Sequence, residues 1–276
     1  VPLFSTTELA KLRDRGLWAG PGESEVDFFE RVKRCTSADF EKEIPQEEWE
    51  RGADVSERCF GFRPDWIETS VGRSSLLFAG GADMGSQPRV ELSERVWRRS
   101  RPIPRDELLA HEWFHVARCR FEEARFEEII AFTTSRRWWR RFFSPIVQST
   151  REVIVIALVC FATPFFALMS GPHPLLPMAL LFGFLGARLF WRQWLWGRTS
   201  NQIGRSLAAQ LTDREIRRFA FMDEQQIWLD IERRSPSSVR LCQLLAVRAA
   251  LGGVAKTKSS SVLSDGSPGA LDPPGS

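Results

Sequence analysis

The chain has 276 residues, 43% of them apolar and 26% charged. These values exclude a fully disordered protein, a collagen-like repeat and a small disulfide scaffold, and the length suffices for one large domain or two modest ones with a real core. The 38 basic and 35 acidic residues leave a net charge of +3, too near balance for the field of a nucleic-acid binder, so no nucleic-acid partner is expected. Cys35, Cys59, Cys119, Cys160 and Cys242 form no Cys-x-x-Cys pair, which points to free thiols in a reducing compartment. Val1 to Leu17 lacks the apolar centre of a cleavable signal, so none is expected.

Residues 1 to about 52 read as amphipathic helices. Thr7, Glu8, Leu9 and Leu12 mark one that ends near Gly16. A second runs through Glu25, Phe28, Phe29 and Val32, and a third opens at Pro45, where proline suits a first helical turn. From Arg63 to Arg99 the texture changes. Ser75 to Ala79 is a short apolar run closed by a turn at Gly80 and Gly81, and Val90, Leu92 and Val96 suggest a partly alternating strand. Asp106 to Phe143 lacks Gly and Pro and must hold one long helix or two consecutive ones.

Val153 to Ser170 has eighteen residues without a charge, about 27 Å as a helix and near the hydrocarbon thickness of a bilayer. A break at Gly171, Pro172, His173 and Pro174 leads to a second apolar run from Leu175 to Ala187, extendable through Phe190. The two read as an antiparallel transmembrane hairpin over 153–190, with the bilayer as a partner. Trp138, Trp139, Trp191, Trp194 and Trp196 stand where an interfacial belt belongs. Arg136, Arg137, Arg140, Arg141 and Arg151 precede the hairpin; Arg188, Arg192, Arg198 and Arg205 follow it. That distribution implies an integral membrane protein of two spans with cytoplasmic N- and C-terminal segments. The same Arg and Trp run before the first span reads as an anchor to anionic lipid. Beyond the hairpin, Thr212-Asp213-Arg214-Glu215 and Ser235-Pro236-Ser237 open two packing helices. The end of the chain, rich in Ser, Gly, Pro and Lys, reads as a disordered tail.

The chemistry is concentrated in His111-Glu112-Trp113-Phe114-His115. Residues i and i+4 share a helix face, so both imidazoles can grip one zinc ion, while Glu112 stands beside it as general base for a zinc-activated water. A zinc hydrolase needs a third protein ligand. His173 lies in the opposite loop, so a carboxylate must serve: Glu122, Glu123, Glu127 and Glu128 follow. On an unbroken helix Glu122 would lie about 10 Å further along the axis than His115, too far to share an ion. The chain must therefore turn near Cys119 to Phe121 and bring a second helix back, placing Glu127 or Glu128 level with the histidines.

These residues resemble the gluzincin zinc metallopeptidases over roughly residues 85 to 135. Zinc in that family is held by the two histidines of His-Glu-x-x-His and a glutamate on a later helix, often in the context Glu-x-x-Ala. Glu128-Ile129-Ile130-Ala131 matches that context, so the resemblance implies His111, His115 and Glu128 as ligands, with Glu127 the alternate, and a polypeptide substrate. It also implies an edge strand along the cleft, for which Arg89 to Trp97 is the candidate. Many gluzincins polarise the scissile carbonyl with a Tyr or His, and this chain has no Tyr. Arg118 is the first candidate for that role, with Arg125 and Arg136 behind it, although Arg118 can equally pair with Glu122.

The expected protein is mainly α with a short β-sheet, a compact membrane-anchored member of the gluzincin type. It comprises an N-terminal helical region (1–60), a zincin-like catalytic region (61–143), the transmembrane hairpin (144–198), a cytoplasmic helical region (199–252) and the tail (253–276). The competing reading is a membrane-tethered interaction scaffold with an inactive zincin-like fold.

Overall fold

The computed structural model describes the chain apart from residues 1–2, 38–42, 73–79, 84–87, 100–102, 122, 124, 147–149, 171–175 and 263–276, and describes backbone alone at 80–83, 96, 99, 150–151, 164–170, 176–177 and 252–262. Three helices open it, α1 (Thr6–Asp14), α2 (Glu25–Ser37) and α3 (Gln46–Phe60). Strands β1 (Glu68–Gly72), β2 (Gly80–Asp83) and β3 (Arg89–Ser93) follow, then helices α4 (Glu94–Arg99), α5 (Arg105–Ala117), α6 (Glu127–Ala131) and α7 (Trp138–Phe143). The rest is helical: α8 (Thr150–Ser170), α9 (Leu176–Ile203), α10 (Arg205–Ala208), α11 (Asp213–Phe219), α12 (Glu224–Arg234) and α13 (Val239–Val262). Reciprocal capping boxes start α1 at Ser5 with Glu8 and α11 at Thr212 with Glu215, each satisfying two backbone donors that a helix start leaves over.

The sheet has the order β1-β3-β2, with β1 parallel and β2 antiparallel to β3. This corrects the expectation of an edge strand over Arg89 to Trp97. Arg89 to Ser93 is the central strand, and the chain turns helical from Glu94. The outer strand beside α5 is β2. Its Gly80-Gly81-Ala82-Asp83 sequence shows no apolar alternation, which is why it reads as a turn.

One cluster of buried side chains joins the N-terminal helices, the sheet, α5 and the C-terminal helices, with Trp18, Phe28, Trp66, Leu92, Trp113, Phe114, Ile216 and Leu244 all inside it. Helix α3 lies against α5 at Gly52, where a methyl group would meet Leu109 Cβ and Trp113 Cζ3 at 2.9 Å. The Trp113 indole N–H donates to Thr69 Oγ1 at 3.0 Å, fastening α5 to β1. At the opposite end of the chain, the Gln243 amide donates to the Leu9 and Leu17 carbonyls and accepts from Ala19 N, so α13 closes over α1.

The stretch from Asp106 to Phe143 is not a single rod. Helix α5 stops at Arg118, turns follow to Phe121, and α6 begins at Glu127. No Gly or Pro breaks it. Burial does: Arg118, Phe121 and Phe126 are all packed inside, with the Arg118 guanidinium 4.1 Å from the Phe121 ring centre. Continuing the helix would carry these groups out of the core.

The transmembrane hairpin is overturned. Among the described residues no helix is long and apolar enough to cross a membrane. The apolar runs do become helices α8 and α9, and the connection holding His173 lies outside the described residues. Helix α9, however, runs 28 residues and continues through the arginines expected to flank it. Its Leu185, Leu189, Leu195, Trp196 and Ile203 are buried. Arg188 pairs with Glu152 of α8 at 2.7 Å, an ion pair between the two helices. Of the expected belt, Trp196 is in the core, while Trp191 and Trp194 stack on each other and meet Phe221. Sequence hydropathy records the apolar runs but not that the helix carrying the second is partly packed against its own protein. The membrane-anchored gluzincin form, the lipid-bilayer partner, the two-span localisation with cytoplasmic ends and the membrane-tethered scaffold fall with the hairpin. What stands is a mostly helical fold with a small sheet.

Candidate metal centre

Helix α5 presents His111 and His115 one turn apart, and the returning α6 brings two glutamates alongside. The ring nitrogens His111 Nε2 and His115 Nε2 are 3.2 Å apart. Glu128 Oε1 lies 3.4 Å from His115 Nε2, and Glu128 Oε2 lies 3.6 Å from His111 Nε2. Ligand distances of about 2.0–2.1 Å around a tetrahedral ion give edges of about 3.3 Å, so the three donors fit one zinc ion. Two imidazoles and a carboxylate also form a donor set that suits zinc, with one position left for water or substrate.

His115 is held by its far side: Nδ1 donates to Glu127 Oε1 at 2.7 Å, a partner that turns its Nε2 to the shared point. The Phe132 ring stands edge-on to His111 at 4.7 Å between centres and limits its rotation. Glu127 thus sits behind His115, and Glu128 is the carboxylate that reaches the shared point.

Two ring nitrogens this close cannot each carry a proton. Burial, and then the neighbouring His115, press the His111 pKa well below the ordinary imidazole value, keeping it neutral. Burial also opposes charge on His115, yet the Glu127 hydrogen bond and the charges of Glu128, Glu127 and Glu112 prevail and raise it to about 9. The pocket is therefore built to hold positive charge. Burial raises the pKa of Glu112, countered by His115 and reinforced by Glu128. Burial likewise raises that of Glu128. A carboxylate moved up towards neutrality is suited to taking and returning a proton.

The arginines expected near the scissile carbonyl are occupied elsewhere. Arg118 is buried and donates through Nη1 to the carbonyls of Ala209 and Leu211. Arg136 pairs with Asp106 at 2.6 Å, and Arg125 is exposed, its backbone N–H bonded to Asp213. Glu122 lies outside the described residues, and Glu123 accepts from Asp213 N.

Three further groups position the arm that carries Glu127 and Glu128: Asp213 and Glu107, which sequence reasoning misses, and Arg118, expected instead at the scissile carbonyl. Asp213 accepts from Arg125 N at 3.1 Å and Phe126 N at 3.3 Å, clamping the loop just before α6. Arg118 ties the start of that loop to the 209–211 segment. Buried Glu107 accepts from Arg136 N and pairs with Arg140 at 3.1 Å, holding the exit from α6 against the base of α5. Asp213 is nearly ninety residues distant in sequence, and no local pattern marks it.

The chain therefore carries a two-histidine, one-glutamate cluster consistent with a zinc-metalloprotease active site, in the ligand geometry typical of gluzincins, the one such metal-ligating group among the described residues. Comparison with protein-family models, curated protein sequences and solved structures finds no match for the chain.

Proposed function

We propose that the chain is a zinc-dependent peptidase in which His111, His115 and Glu128 hold the metal and Glu112 is the general base. The convergence of two imidazoles and a carboxylate at 3.2–3.6 Å carries this reading. Zinc, when bound, supplies Lewis acidity that polarises a carbonyl and acidifies water. Glu112 accepts the proton of the attacking water and passes it to the leaving amine nitrogen. Glu127 orients His115 and raises the basicity of its ring. The outer strand β2, in contact with α5, supports an extended polypeptide as substrate, because a sheet edge offers backbone groups to an unfolded segment.

The test compares wild type with Glu112→Gln and His115→Ala on an unfolded general protein substrate, with metal content measured in each. Wild type cleaves, loses activity to a chelator and recovers it with zinc. Glu112→Gln retains zinc and loses at least about a hundredfold in rate, whereas His115→Ala loses both. Cleavage by Glu112→Gln at the wild-type rate overturns the assignment.

A further inference from the structure

Apart from the metal centre, a cavity of about 400 Å³ opens between α11, the end of α12, the start of α13 and the turn at Pro21 and Gly22. That volume falls in the range of small-molecule sites, about 300–1,000 Å³. Arg214, Arg218, Arg234 and Arg240 line it with Ser237 and Ser238, against the single carboxylate of Glu215. Asp230 pairs with Arg218, Arg233 and Arg234, and Glu215 with Arg234 and Arg240. Four guanidiniums thus share two carboxylates, and a fifth, that of Arg214, has no acidic partner among the described residues.

Arg240, only 3% exposed, is fixed in the cavity wall: its Nη1 donates to Gln210 O at 2.9 Å and its Nη2 to Glu215 Oε1 at 2.8 Å. The start of α13 adds backbone donors: Cys242 N makes the first helical bond, to Ser238 O at 3.0 Å. The N–H groups of Val239, Arg240 and Leu241 precede it, and such first-turn donors favour an anion.

We propose that this pocket binds a phosphorylated small molecule through its phosphoryl group. Guanidinium forks from three helices, the Ser238 hydroxyl and a helix start outnumber the carboxylates of Glu215 and Asp230, and arginine forks match phosphate geometry. Nothing in this assignment depends on the metal centre.

Calorimetric titration of the full chain at low ionic strength tests it, using pyrophosphate, inorganic phosphate, ATP and citrate as probes. Pyrophosphate binds saturably at one site, and Arg214→Gln and Ser237→Asp each weaken it by about tenfold or more. Equal affinity for ATP and pyrophosphate shows that the phosphoryl groups alone are read, and tighter ATP that a nucleoside is read with them; both support the pocket. Absence of saturable binding, or citrate binding as tightly as pyrophosphate, overturns it. So does binding that survives both pocket substitutions and disappears in His111→Ala, which belongs to the metal centre instead.

Discussion

Replacing Glu127 by glutamine keeps the side-chain length and removes the charge behind His115. The 2.7 Å contact between His115 Nδ1 and Glu127 Oε1 joins two side chains that are only 14% and 19% exposed, so water screens it weakly. A hydrogen bond to a charged acceptor is about twice as strong as one to a neutral acceptor, and the lost carboxylate also lowers the basicity of the imidazole. Orienting partners of this kind are worth about 10–100-fold in metal affinity, or about 1.4–2.7 kcal/mol. Competition against a chromophoric zinc chelator at neutral pH therefore gives a dissociation constant about 10–100-fold weaker for Glu127→Gln than for wild type, at unchanged stoichiometry. Glu128→Ala falls further, because a ligand itself is gone. Equal zinc affinity in Glu127→Gln and wild type would refute the positioning role.

Gly52→Ala is destabilising although alanine is the better helix former. The added methyl meets Leu109 Cβ and Trp113 Cζ3 at 2.9 Å, and overpacking of this kind costs about 1–3 kcal/mol against about 1 kcal/mol gained in helix propensity. A lower melting temperature is expected, and a higher one contradicts the close approach of α3 and α5. Acid weakens the fold through Glu215. Burial raises its pKa, but Arg240, the Thr212 N–H and Arg234 outweigh burial and hold it below the usual carboxylate range. Its contribution is present above the unfolded value of about 4.3 and is lost as pH falls through the folded value. Urea midpoints should drop more steeply with acid in wild type than in Glu215→Gln, which keeps the capping box; parallel curves would contradict the linkage.

The sequence carries the metal centre further than the rest of the fold. The spacing of His111 and His115 fixes a shared helix face, and helix rise alone rules out Glu122 on an unbroken helix, which forces the reversal seen after Arg118. The choice between Glu127 and Glu128 is not local: it depends on the register of the five-residue α6, set by the Asp213 clamp and by Glu107. Strand β2 escapes notice because two of its four residues are glycine, and its absence from the sequence reading makes the central strand look like an edge. The apolar residues of α8 and α9 show the same hydropathy whether they face lipid or protein. Only the continuation of α9 through Arg188, Arg192 and Arg198 into the core distinguishes the two. The residues around the C-terminal arginine cavity read as the starts of two packing helices, since their charges converge only after α11, α12 and α13 pack together.

Zinc K-edge absorption of the metal-loaded protein most directly tests whether His111, His115 and Glu128 share one ion. One zinc per chain is expected, with imidazole nitrogen and carboxylate oxygen scatterers at about 2.0–2.2 Å and loss of one imidazole contribution in His111→Ala. Sulfur scattering at about 2.3 Å would assign the metal to the free cysteines, and protein that takes up no zinc would contradict the central claim outright.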